Sequence, residues 1–240
     1  MKHIPNFITS LNLAAGFVAM IFAANGNLAA ASWLIVAAMI FDFCDGFAAR
    51  LLNAYSETGK ELDSLADIVS FGVAPALIIY KLINNSFASA LPDSQSESSD
   101  TVRAFFCYVP VIMPVCAALR LAKFNTDSTQ TVSFKGLPTP ANAIAVISLV
   151  IAAKYSSVPM LQSFIQSPAI LVIYTIILSV LMVTNLPLLS LKVKHLKFRG
   201  NEGRYVLIGL VLVSFVLVGF AMAPLIIPFY IIASLIGRIF

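Results

Sequence analysis

Apolar runs that approach the roughly 20 residues a helix needs to cross a bilayer recur along this chain from Phe7 to the C-terminus. A soluble fold cannot hide that much apolar surface. Of 240 residues, 60% are hydrophobic and 11% charged, against roughly 25% charged in an average soluble domain. The fold expected is all-α, a polytopic transmembrane bundle.

Hydrophobicity and breaker residues predict eight helices, at about 7–24, 28–50, 60–84, 102–123, 138–154, 167–191, 204–222 and 224–239. Pro138 and Pro140 open the fifth, Pro187 bends or ends the sixth, and a turn at Pro224 separates the last two. Residues 85–101, rich in serine and acid, read as a polar loop. The first run follows a short basic head, Lys2-His3, and Ala29-Ala30-Ala31 resembles a cleavage site. Pro5, Asn6, Thr9, Asn12 and Gly16 interrupt that run in a way a signal core does not need, so a retained helix is expected.

With eight spans, both termini share one side. That side receives Lys2, Arg50, Lys60, Arg120, Lys123, Lys135, Lys192, Lys194, Lys197, Arg199, Arg204 and Arg238, 12 of the 15 basic residues. Lys81, Arg103 and Lys154, the other 3, fall opposite. Positive charge collects on the cytosolic side, so both termini are expected there. The basic stretch 192–204 reads as a loop lying against anionic headgroups. Basic residues scattered between apolar runs do not form a nucleic-acid-reading face. Cys44, Cys107 and Cys116 sit in apolar stretches without CxxC spacing and read as inert thiols.

The chemistry lies in residues 42–67. Asp42 and Asp45 are three apart, Asp63 and Asp67 four apart, so each pair projects from one face of its helix. The short connection 51–58 can lay the two helices antiparallel and bring the four carboxylates together. Ionisable groups in a membrane helix cost about 2.5–3.5 kcal/mol each, and four like charges would be worse still. Two divalent cations cancel them. Oxygen ligands without histidine or cysteine favour Mg²⁺ or Mn²⁺, and a metal pair is the clamp used for displacement at phosphorus. Gly46, Ala49 and Gly59 leave room for a substrate beside helix backbone, and Arg50 can pair with a phosphate. A cation transporter or channel is the competing reading. It predicts polar residues spread along several spans, whereas here they cluster at one end.

The string Asp42-x2-Asp45-Gly46-x2-Ala49-Arg50-x8-Gly59-x3-Asp63-x3-Asp67 resembles the signature of the CDP-alcohol phosphatidyltransferases at every fixed position. The helical layout extends the resemblance over about residues 1–190, leaving 191–240 as a basic cytosolic loop plus a C-terminal helical pair. The resemblance implies that Asp42 and Asp63 bridge two metals, that Asp45 completes one site and Asp67 the other, and that Asp67 also takes the proton of the attacking alcohol. It implies CDP-lipid contacts at Gly46, Ala49, Arg50, Ser56 and Gly59, and at Pro5, Asn6, Phe7, Ile8 and Thr9 ahead of the first span. Asn6 and Thr9 would equally serve as helix caps.

Three further stretches, Ser70–Ala76, Arg120–Asn125 and Phe134–Ala141, are similar to the branch of the family that uses L-serine. That similarity implies transfer of the phosphatidyl group from CDP-diacylglycerol to L-serine, giving phosphatidylserine and CMP. Glycerol 3-phosphate or inositol are the sibling acceptors. Arg120, Lys123 and Lys135 would meet the serine carboxylate and Asn125 its ammonium. A homodimer in a bacterial inner membrane, with its active site facing the cytosol, completes the expectation.

Overall fold

The computed structural model describes residues 3–90, 97–126, 134–188 and 202–236. Helix α1, Ile4–Ala24, carries Pro5 in its first turn, where the missing N–H costs nothing. Gly26, at φ +82, turns the chain into α2, Leu28–Leu51, whose N-cap Asn27 accepts from the Ala30 amide at 3.1 Å. Asn53, at φ 47, turns it back into α3, Glu57–Asp67, capped by the Ser56 hydroxyl accepting from the Gly59 amide at 3.0 Å. These three helices form one unit, with α1 against both of the others.

A π-helical segment, Ile68–Val73, continues α3 into α4, Ala74–Ala90. Pro75 explains it. Proline has no N–H to give the carbonyl four residues back, and its ring crowds that carbonyl. That carbonyl belongs to Phe71, and the Asn142 amide donates to it instead, at 3.1 Å. The widened turn starts directly after Asp67.

Beyond come α5, Glu97–Tyr108, and, after a tight turn at Val109–Val111, α6, Ile112–Thr126. Most of the expected polar loop 85–101 is therefore helical at its two ends. Arg103 ties α5 to α4 through bonds of 3.3 and 2.8 Å to Asn84 Oδ1. Helix α7, Thr139–Tyr155, is buried around most of its circumference and forms the centre of the bundle. A short α8, Pro159–Gln166, which the hydrophobic pattern does not predict, meets α9, Pro168–Val183, at 84°. The sixth expected helix thus ends well before residue 191. Pro187–Leu188 (β2) instead pairs antiparallel with Phe134–Lys135 (β1), Phe134 opposite Leu188.

Helices α10, Glu202–Val218, and α11, Ile226–Ile236, pack against each other across a break at Gly219, φ +58, ahead of the expected turn at Pro224. Among the described residues, five helical stretches are long and apolar enough to cross a bilayer: Ile4–Ala24, Leu28–Leu51, Glu57–Ala88, Thr101–Thr126 and Gly203–Ser234. The bent α8–α9 pair makes six if taken as one span. The helical membrane bundle expected from the sequence is present, with fewer crossings by this measure than the eight expected. Residues 204–222 and 224–239 fall largely within a single apolar stretch, and α7 is apolar but only 17 residues long. Large apolar side chains such as Phe17, Phe43 and Val216 face outward, as they do where the surrounding solvent is hydrocarbon. Most of the basic stretch 192–204 lies outside the described residues. The three cysteines are free.

Candidate active site

Burial on α1 follows Pro5, Thr9, Asn12 and Gly16, a spacing that keeps one face toward α2 and α3. Contacts along that face fix the register. A Cβ on Gly59 would sit 2.9 Å from Asn6 Oδ1, and one on Gly16 would sit 2.8 Å from Ser70 Cα. Helices α1 and α3 therefore run parallel, while the α1–α2 hairpin is antiparallel and sets Thr9 beside Asp45. One end of each helix meets in a common site.

There Asp42, Asp63 and Asp67 each offer a carboxylate oxygen, all within 4.8 Å of one another. Asp45 stands apart from that group. It lies one turn nearer the end of α2, about 4.5 Å further along the axis, and with Asp63 lines the adjoining cavity. The structure thus brings three of the four expected carboxylates to one point and gives the fourth to the cavity wall. Asp45 Oδ2, Asp63 Oδ1 and Asp67 Oδ1 are buried with no hydrogen-bond partner. Orphaned carboxylate oxygens converging in a membrane helix bundle are costly. An all-oxygen donor set of this kind fits hard divalent cations.

A cavity of about 410 Å³ opens beside the cluster. Of the residues that resemblance assigned to a nucleotide lipid, it is lined by Pro5, Asn6, Thr9, Gly46, Ala49, Arg50, Ser56 and Gly59. Phe7 and Ile8 are not among its walls. Phe7 is 65% exposed, because a helix that turns Pro5, Asn6 and Thr9 inward carries the next residue outward. Neither capping alternative is realised: Thr9 donates to the Pro5 carbonyl at 3.0 Å, and His3 is the N-cap of α1. Ala54, Tyr55 and Lys60 also line the cavity. The connection 51–58 carries no chemical signature of its own, which is why the first two escape a sequence reading. Lys60 was legible only as a topogenic charge. Its ammonium donates to the Asn125 carbonyl at 3.1 Å.

The glycines separate packing from binding. Gly16, Gly59 and Gly72 have neighbours within 3.1 Å of where a Cβ would be, whereas Gly46 has nothing within 4 Å and faces the cavity. Packing does not require Gly46; an occupant of the cavity would. Arg50 Nε donates to the Gly46 carbonyl at 2.9 Å, which holds the guanidinium at the cavity wall.

On the far side of Asp67 lies Arg120, 7% exposed, close enough to Asp67 to interact electrostatically. It donates to the Thr139 hydroxyl at 3.3 Å, and its Cζ lies 5.9 Å from the Phe124 ring centroid. Its Nε is buried without a partner. Tyr230 of α11, buried beside Arg120, belongs to a helix in which the sequence showed no site residue. The Asn125 amide donates to the Ser64 hydroxyl at 2.8 Å, tying α6 to α3 next to Asp63. Lys123 is exposed. The backbone of Lys135 lies in β1, and its side chain is outside the described residues.

The fold and site define a membrane-embedded helical protein with an acidic, metal-suited cluster beside a ligand-sized cavity. The chain belongs to the CDP-alcohol phosphatidyltransferase family, whose model matches residues 2–188. Similar proteins include the CDP-diacylglycerol–serine O-phosphatidyltransferase of Mycobacterium leprae, 40% identical over 157 residues, 62% of this chain and 47% of that protein. The one from Helicobacter pylori strain J99 is 37% identical over 149 residues, 61% of this chain and 56% of that protein. The one from Bacillus subtilis is 33% identical over 205 residues, 85% of this chain and 99% of that protein. The chain thus spans about half the length of the first two and nearly all of the third.

Proposed function

We propose that this chain transfers the phosphatidyl group from CDP-diacylglycerol to L-serine, giving phosphatidylserine and CMP. One observation carries the phosphoryl-transfer part: Asp63 belongs at once to the carboxylate cluster and to the wall of the cavity. A ligand in that cavity therefore reaches whatever the cluster holds. The shared name of the M. leprae, H. pylori and B. subtilis relatives supports serine as acceptor.

Asp42, Asp45, Asp63 and Asp67 would hold two divalent cations, Mg²⁺ or Mn²⁺, which when bound neutralise the pyrophosphate and the departing CMP. Gly46 and Ala49 let the nucleotide lipid lie close to α2, and Arg50 contributes a fixed cation to its phosphates. Asp67 accepts the serine hydroxyl proton as that oxygen bonds to the lipid phosphorus and the bond to CMP breaks. Arg120 pairs with the serine carboxylate through the edge that carries its unpartnered Nε. Thr139, Phe124 and Tyr230 keep the guanidinium facing Asp67. In this reading residues 1–190 form the catalytic transmembrane domain, the site end of α1–α3 faces the cytosol of a bacterial inner membrane, and the enzyme is a homodimer.

The test is an acceptor panel with CDP-diacylglycerol as donor, run on the wild type and on Arg120→Gln. Serine should be the acceptor used. The variant should raise the serine KM by roughly 10- to 150-fold, the equivalent of a lost charge-assisted hydrogen bond of about 1.5–3 kcal/mol, with the CDP-diacylglycerol KM within a few-fold. Turnover with glycerol 3-phosphate or inositol instead would replace serine. A folded Arg120→Gln that loses the lipid and keeps its serine dependence would give Arg120 to the lipid phosphate.

A further inference from the structure

Asn12 is 0% exposed, yet neither its Nδ2 nor its Oδ1 has a hydrogen-bond partner. Asn142, equally enclosed, at least donates to the Phe71 carbonyl. An asparagine with both functional atoms idle in a dry position is far more costly than a leucine of similar size. Among the described residues nothing uses it. It caps no helix, and what binds there, the Ser70 hydroxyl at 3.0 Å, bonds to its backbone carbonyl rather than to its side chain.

Its location supplies the reason. Asn12 follows Thr9 on the buried face of α1, and Thr9 stands beside Asp45. Three residues inward along α1 and three back along the antiparallel α2 lead from that pair to Asn12 and Asp42, about 4.5 Å along each axis. From the other side, Ser70 meets Asn12 one turn beyond Asp67. The register therefore sets Asn12 level with the inner end of the cluster formed by Asp42, Asp63 and Asp67, with its amide atoms still unpartnered.

A primary amide offers one acceptor and two donors together. Ionised carboxylates only accept, so they can satisfy Nδ2 but never Oδ1. A proton donor is also required there, and water bound to a hard cation is one. A hard divalent cation held by aspartates usually keeps bound water as well, so a cation in this cluster would supply such a donor.

We infer that Asn12 is a positioning residue of the metal cluster: its Oδ1 accepts from a cation-bound water and its Nδ2 donates to the outer oxygen of a ligating aspartate. This rests on the two-cation reading above, and the experiment separates the two. Mn²⁺ binding to the purified full-length protein in detergent is measured by isothermal titration, alongside thermal melting without metal. Asn12→Leu should bind Mn²⁺ about 10- to 100-fold more weakly, the range for loss of an outer-sphere partner, while melting no lower than wild type. Asn12→Gln, which keeps both the amide acceptor and the amide donor on a longer arm, should restore part of the affinity.

Wild-type Mn²⁺ affinity in Asn12→Leu overturns the inference. If Asn12→Leu does not fold, Asn12→Ala carries the same expectation and the same refutation. Asp63→Asn is the reference. If it loses Mn²⁺ while Asn12→Leu keeps it, only the role of Asn12 fails. If both bind as wild type does, the cation reading fails with it.

Discussion

Gly46 offers the sharpest separation of folding from binding. It sits inside α2, where glycine costs about 1 kcal/mol relative to alanine or leucine, and a Cβ there meets nothing within 4 Å. Without ligand, Gly46→Leu should therefore be neutral or stabilising by up to about 1 kcal/mol. With ligand, the added side chain enters the cavity that Gly46 lines. Forcing extra methylenes into a filled space costs about 1–3 kcal/mol, which corresponds to roughly 5- to 150-fold in the KM for CDP-diacylglycerol. Gly16→Ala is the opposite control, because its Cβ would lie 2.8 Å from Ser70 Cα and backbone must move. The assay pairs melting in detergent with lipid-substrate kinetics. A Gly46→Leu protein with unchanged CDP-diacylglycerol KM, or one that melts well below wild type, would refute the cavity assignment.

Asp42→Asn and Asp63→Asn keep volume while removing a charge from the cluster, and either should abolish turnover in a protein that still inserts and folds; near-wild-type turnover at any Mg²⁺ or Mn²⁺ concentration would remove the metal reading. For orientation, a cysteine at Ser96 should react with an impermeant thiol reagent added outside cells and one at Asn201 should not; the reverse pattern would move the site to the other side of the membrane.

The bundle and the carboxylates were legible because both rest on short-range regularities. Apolar runs read as helices, and a separation of three or four residues read as a shared face, so Asp42, Asp63 and Asp67 converge as the spacing requires. Asp45, three residues on from Asp42, is close enough to the other three aspartates to interact electrostatically. Together with Asp63 it also lines the cavity, a shared role that spacing along one helix does not reveal. Tertiary causes were not legible. The π segment depends on Asn142 reaching across from α7 to a carbonyl that Pro75 leaves without a donor, and the early end of α9 on a strand pairing with residues some fifty positions earlier in the chain. The 84° bend falls at Ser167-Pro168, where the strongly apolar run of α9 begins; the more polar α8 ahead of it, with Gln162, Ser163 and Gln166, was too short and too weakly apolar to be read as a helix.

On the proposed reading two kinds of substrate meet in this site, and two different groups of residues flank the same carboxylates. From one side, the cavity between α1, α2 and α3 carries Gly46 and Arg50, small residues and a cation at a wall reached by Asp45 and Asp63. From the other, Arg120 reaches Asp67 from α6, backed by Thr139 of α7 and Tyr230 of α11. Asp67, 8% exposed, lies between them and does not line the cavity. If Asp67 is the proposed base, its burial against Arg120 would keep it away from the donor lipid until the acceptor arrives. The division also explains why the family signature runs through α2 and α3, whereas the residues around Arg120 come from α6, α7 and α11. On the proposed reading the donor is shared with sibling transferases and the acceptor is not, so acceptor choice would fall to elements outside the signature. Tyr230 lies beyond the family-matched residues 2–188, so on that reading α11 would add to the acceptor wall from outside the matched region.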